Sequence, residues 1–125
     1  MNVEIFTLCE SATVENGAVS ITRTTELAPL IDGAADVDLA LVCVVRFFPD
    51  EEGPHMVRVR FEDSDGASVL ETPPQTFTID LQSLTFDSWR YIQQFRLKFT
   101  LRGGEHRCTL FVDETERISI PFYVE

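Results

Sequence analysis

Basic side chains are scarce in this sequence: 10 Lys and Arg stand against 21 Asp and Glu, for a formal net charge of -11. Such a surface repels phosphate backbones and anionic headgroups, so neither nucleic acid nor membrane is an expected partner. Long apolar runs are missing too. The longest uncharged one, Leu39 to Val45, falls far short of the roughly 18 residues a membrane-spanning helix needs. The chain does not open on a basic stretch followed by an apolar one, its first cation being Arg23, so no secretory leader is expected. Cysteines number three, Cys9, Cys43 and Cys108, with no CxxC pair for zinc or redox chemistry. They read as reduced, buried thiols in a cytoplasm. An antibody-type bridge between Cys43 and Cys108 is not expected, because Trp89 lies too far beyond Cys43 and His106 stands where the corner tyrosine would be.

The usual apparatus of catalysis is equally thin. There are two histidines, no Gly-x-Ser-x-Gly elbow, no His-Glu-x-x-His, and no glycine-rich loop opening a helix that could hold phosphate. No enzyme activity, catalytic residue or cofactor is expected.

What is present is apolar surface, 44% of residues with 10 Phe among them, enough for one domain over residues 1–125 to bury a core without staples. Apolar residues recur at period two between turn residues, the pattern of short antiparallel strands. Strand segments read as Val3–Glu10 and Thr13–Glu15, then Ala18–Leu27 after the hairpin dipeptide Asn16-Gly17. Val37–Phe48 follows, apolar on both faces, then His55–Asp63, Ser68–Glu71, Thr76–Leu81, Gln94–Arg102, Glu105–Asp113 and Arg117–Val124. Gly103-Gly104 reads as a hairpin reversal, and Gln82–Gln93 as a connection with one helical turn. Eight or nine strands of this kind close into two packed antiparallel sheets, an immunoglobulin-like β-sandwich; the alternative is a closed β-barrel. Val57, Val59, Phe61, Phe95, Leu97, Phe99, Leu110, Val112, Ile118 and Ile120 are expected to face inward together.

Three stretches, Thr7–Ile21 (TLCESATVENGAVSI), Gly53–Gly66 (GPHMVRVRFEDSDG) and Gly104–Val124 (GEHRCTLFVDETERISIPFYV), resemble in this order an uncharacterised bacterial family of small immunoglobulin-like β-sandwich proteins of unknown function. The resemblance rests on turn glycines, alternating cores and the closing strand with Pro121, so it implies a fold and no chemistry. Glu114 stands where a turn glycine is expected, which predicts a longer final turn.

Candidate sites follow from the same alternation. His55 and His106 each begin a strand after Gly-x, and each is expected to close a sandwich corner by bonding a loop carbonyl rather than to form a shared metal or catalytic pair. No metal is expected; the acids that would have to hold calcium are Asp63, Asp65 and Asp113, and Asp65-Gly66 is itself a turn dipeptide. Arg58, Arg60, Arg96 and Lys98 project from polar strand faces and form a cationic patch if their strands share a sheet, with Glu62 and Asp80 as partners. The outward face of Val37–Phe48 offers Ala40, Val42, Val44 and Phe48, with Trp89 and Tyr91 from the Gln82–Gln93 segment as a cover. Left uncovered, this strip marks an interface. The function expected is a non-catalytic module that binds another protein or assembles with itself, a homodimer standing slightly ahead of a monomer. The alternative is a small-ligand or metal-binding domain, catalytic or not, using loops at one end.

Overall fold

A computed structural model describes residues 1–80 and 88–125. Ten strands follow one another: β1 (Asn2–Glu15), β2 (Ala18–Thr24), β3 (Leu27–Ala28), β4 (Ala34–Phe47), β5 (Gly53–Glu62), β6 (Ser68–Glu71), β7 (Gln75–Ile79), β8 (Trp89–Arg102), β9 (Gly104–Val112) and β10 (Thr115–Val124), with a 3-10 turn at Pro49–Glu51. They form two sheets, β2-β1-β4-β8 and β3-β10-β9-β5-β6, with β7 pairing on β5 beyond β6. Neither sheet closes on itself, so the architecture is an open two-layer sandwich and the barrel is ruled out.

Alternation works as physics requires: side chains at i and i+2 share a face, and one face of each sheet meets the other. From β5, Val57, Val59 and Phe61 enter the core, and from β9 Leu110 and Val112; Leu97 joins them from β8 across the sandwich. Phe95, Phe99, Ile118 and Ile120 pack against this cluster while half-buried. All ten residues expected inside therefore face inward. Cys43 and Cys108 enter the core from opposite sheets and are free thiols, as is the buried Cys9. Burial pushes Cys43 up to about 12 and Cys108 higher still.

Four expectations are corrected. Gly103-Gly104 does not form a hairpin, because β8 pairs with β4 while β9 pairs with β5 and β10. The chain changes layers there. Gly104 takes φ +125°, closed to most side chains, and a Cβ on Gly103 would come within 3.4 Å of Leu30. The segment read as Gln82–Gln93 is strand from Trp89 onward, since Trp89, Tyr91 and Gln93 continue the inward alternation of Phe95 and Leu97; residues 82–87 of that reading, and the expected strand end at Leu81, lie outside the described residues. Val3–Glu10 and Thr13–Glu15 are one strand, β1. Finally, the β9–β10 turn is not long. Asp113 and Glu114 alone make it, with φ of +53° and +63°, the two positive values a type I′ turn demands.

The outer face of β4 has an unexpected cover. β1 pairs with β4 only as far as Cys9↔Ala40, then runs on to Glu15 bonded to β2 alone. This β1–β2 hairpin bends across the sheet. Its Ala12, Val19 and Ile21 pack with Cys9, Ala40, Val42 and Val44, and the Gly17 carbonyl at its tip accepts a 3.0 Å hydrogen bond from Arg90 Nη1 on β8. Arg96 Nη1 secures the hairpin's base, donating to the Glu10 carbonyl at 2.9 Å.

Candidate functional site

The two histidines sit at opposite ends of the β5–β9 ladder, which runs antiparallel through Val57↔Val112 and Phe61↔Cys108. They share no site. His55 Nδ1 lies 2.7 Å from Asp113 Oδ2 and its Nε2 2.6 Å from the Glu51 carbonyl. Both partners accept, so the ring satisfies them fully only as an imidazolium donating from each nitrogen. Burial works against that charge, but the Glu51 carbonyl and the Asp113 carboxylate outweigh it and hold the His55 pKa above its ordinary value. Asp113 Oδ1 accepts from the Met56 amide at 2.9 Å, while the Asp113 amide donates to the Met56 carbonyl at 2.8 Å, so a carboxylate extends the ladder past its last backbone pair. Arg58 grips Glu114 through Nε and Nη2 at 3.1 and 3.2 Å and lies 4.0 Å over the Phe111 ring. The left-handed backbone at these two residues, worth about 1–2 kcal/mol of strain each, is offset by these bonds. Glu51 takes the Met1 ammonium at 2.8 Å and the Phe48 amide at 3.0 Å; burial raises its pKa, and these donors more than reverse it.

His106 is buried and lies 3.2 Å from the Gly104 carbonyl. His55 thus meets a carbonyl of the preceding 3-10 turn, whereas the carbonyl beside His106 belongs to its own strand and not to a loop. Asp63 Oδ1 accepts from the Asp65 and Ala67 amides at 2.9 and 3.0 Å, the arrangement of a capped turn. Asp63 and Asp65 lie at the His106 end and Asp113 at the other, so these three acids do not converge. No group of three His, Cys, Asp or Glu among the described residues is arranged around a metal.

The cations divide between layers, and the single cationic patch is corrected accordingly. Arg58 and Arg60 are on β5, where Arg58 pairs with Glu114 and Glu71, and Arg60 with Glu62 and Glu71. Arg96 and Lys98 are on β8 in the other sheet, with Arg90 and Arg102 beside them on the same face. The apolar strip is corrected as well. Ala40, Val42 and Val44 are 0% exposed beneath the β1–β2 hairpin, and Phe48 alone of the six residues stays open. Trp89 and Tyr91 point inward, stacked on Phe77 at 5.3 and 4.5 Å between ring centroids, with Phe47 and His55 adjoining. The Tyr91 hydroxyl has no hydrogen-bond partner among the described residues, and burial, then the nearby Cys43, push its pKa up to about 12.

The sheet edges are not alike. β3 has two residues, β6 and β7 have four and five, and Pro73-Pro74 interrupts the chain between them. β10 carries Pro121, which has no N–H to offer, and β2 has a left-handed Arg23 at φ +52°. These are the usual protections against strand addition. β8 has none. It pairs with β4 in fourteen successive positions, Phe47↔Trp89 to Ala34↔Arg102, without a bulge, proline or glycine, and no described strand pairs with its other side. By antiparallel geometry roughly half of its residues direct N–H and C=O away from β4. Beside its end, between the layers, a groove of about 330 Å³ is lined by Ser68, Val69, Leu101, Arg102, Asp63 and His106 among others. Sequence reasoning missed this edge, because strand order is not written in any one segment; the run of cations without acids from Arg90 to Arg102 was its one visible mark.

The family model of DUF6941, described as a family of unknown function, matches residues 4–125. No curated protein and no solved structure matches the chain. With nearly its whole length matched in this way, the chain belongs to this family of unknown function.

Proposed function

We propose that this protein is a non-catalytic, protein-binding β-sandwich of the bacterial cytoplasm, which takes up an extended segment of a partner along the free edge of β8. The observation that carries this reading is the contrast between edges: β3, β6 and β7 are short, β10 bears a proline and β2 a left-handed residue, whereas β8 runs through fourteen uninterrupted positions and no described strand pairs with its outer side. Main-chain hydrogen bonds supply affinity in such strand addition, and alternate side chains supply specificity. The three free thiols are consistent with a reducing compartment. Selection of short randomised peptides against the intact protein tests the reading. Selected peptides are expected to slow amide hydrogen exchange in β8 above all; failure to select any binder, or protection that maps to another surface, refutes it.

A further inference from the structure

We infer that the segment accepted by β8 is acidic, and that its acids alternate with apolar residues. This deepens the proposed docking edge and rests on it. β8 carries four cations, Arg90, Arg96, Lys98 and Arg102, and no acid, in a protein of net charge -11. The alternation places all four on the outer face, and puts Trp89, Tyr91, Phe95, Leu97, Phe99 and Leu101 on the inner one. Arg90 is committed to Glu4 at 3.0 Å and Arg96 to Asp38 at 2.8 Å; Lys98 stands opposite Asp38 and helps hold its carboxyl low without a contact ion pair, and Arg102 forms no ion pair with any described residue. At physiological salt the screening length is about 8 Å, so an incoming strand, one strand spacing from the β8 cations and two from Asp36 and Asp38 on β4, responds more to the cations than to those acids.

A strand laid along β8 sets its residues on the same two faces. On the outer face they stand beside Lys98 and Arg102, where acids form opposite-charge cross-strand pairs and cations are repelled. On the inner face they meet half-buried Phe95 and Phe99 and, at the Arg102 end, the groove with Val69. The pattern of acid outside and apolar inside follows. A second β8 is a poor occupant. Two copies paired about Arg96 would bring Arg90 opposite Arg102 and Arg96 opposite its twin, setting the cations of both copies on one face.

The probes are short capped peptides alternating Glu with Val, the same peptide with Lys for Glu, and a block-scrambled peptide of the first composition. They are titrated by fluorescence anisotropy into the intact protein, with amide exchange to locate them. The Glu peptide is expected to bind at least about tenfold more tightly than the Lys peptide, with protection on β8. Lys98→Glu with Arg102→Glu, at exposed side chains whose loss leaves the fold intact by circular dichroism, is expected to invert that order. Equal binding of both peptides on β8 overturns the acidic inference and leaves the docking edge standing, as does failure of both while selected peptides still protect β8. Failure of designed and selected peptides alike overturns both. A scrambled peptide as tight as the alternating one overturns the alternation, and a concentration-dependent mass above 14.2 kDa with β8 already protected assigns the edge to a second copy instead.

Discussion

Val44→Asp discriminates between two views of the β4 outer face. If that face were open, an aspartate there would be harmless. In the structure Val44 is 0% exposed, flanked by Ile5 on β1 and Ile92 on β8, under the hairpin that brings Val19 and Ile21 over it. Losing the valine removes about 2 kcal/mol of burial. An unpartnered carboxyl group adds about 1–3 kcal/mol for its lost hydrogen bonds. The short side chain stops below Arg46, whose Nε and Nη1 are already donated to Glu4 and Ser88. The aspartate must therefore hold a proton in the folded state, which at pH 7 adds about 4 kcal/mol against an ordinary pKa near 3.9. The total, about 7–9 kcal/mol, matches the whole stability of an ordinary domain. Because the folded pKa is raised, the proton term shrinks as pH falls toward 4, so the variant is expected to be largely unfolded at pH 7 and to recover part of its stability at pH 5. Val44→Ala, which removes only methyl groups and leaves a small cavity, is expected to cost about 2–3 kcal/mol. Urea denaturation followed by circular dichroism measures all three. A Val44→Asp midpoint equal to that of the unaltered protein would refute the covering role of the hairpin.

His55→Gln is expected to lose most stability in acid. The His55 pKa is raised on folding, so its contribution is fully present below the unfolded imidazole pKa near 6.5 and is lost as pH rises through the folded value; a difference from the unaltered protein that grows between pH 6 and 9 would contradict this. Native protein is expected to react slowly with a thiol reagent because Cys9, Cys43 and Cys108 are buried with raised pKa values, and to titrate three thiols once denatured; fewer would reveal a bridge. Phe99→Ala, at a half-buried ring in edge contact with Phe61 at 5.0 Å, is expected to cost about 2–3 kcal/mol by urea titration, under the 3–5 of a fully buried Phe. A loss below 1 kcal/mol would put the ring in solvent.

Period-two alternation makes the faces of β5, β8, β9 and β10 legible in the sequence itself, because a half-buried strand must write its environment into every second residue. Asn16-Gly17 is equally plain, with φ of +51° and +77° at the turn. Gly-x-His marks two strand starts, but only His55 finds its carbonyl outside its strand, at Glu51; His106 finds Gly104 within its own. What escapes is non-local. Gly103-Gly104 licenses a tight reversal and a change of layer alike, and only the partners of β8 and β9 decide between them. The same ambiguity merges Arg58, Arg60, Arg96 and Lys98 into one patch when they stand on different sheets. The double-sided β4 announces that something covers it, but the cover comes from a hairpin that neighbours Ala40 in space and not in sequence. At Glu114 a glycine is expected on backbone grounds, and Arg58 makes it dispensable.

The hairpin that lies over β4 also has a history in time. Its far anchors, Arg90 and Arg96, follow the Gly17 tip by more than half the chain, so on a ribosome adding about 5–20 residues per second the cover is made seconds before it can be fastened. During that interval β4 can pair with β1, but its other edge waits for β8, and its two apolar faces wait for the second sheet and the anchored hairpin. Long-range pairing of this order belongs to the slow end of folding, milliseconds to seconds. The step that ends the vulnerable period is the arrival of β8, which in one movement completes the ladder with β4 and clamps the hairpin over its outer face.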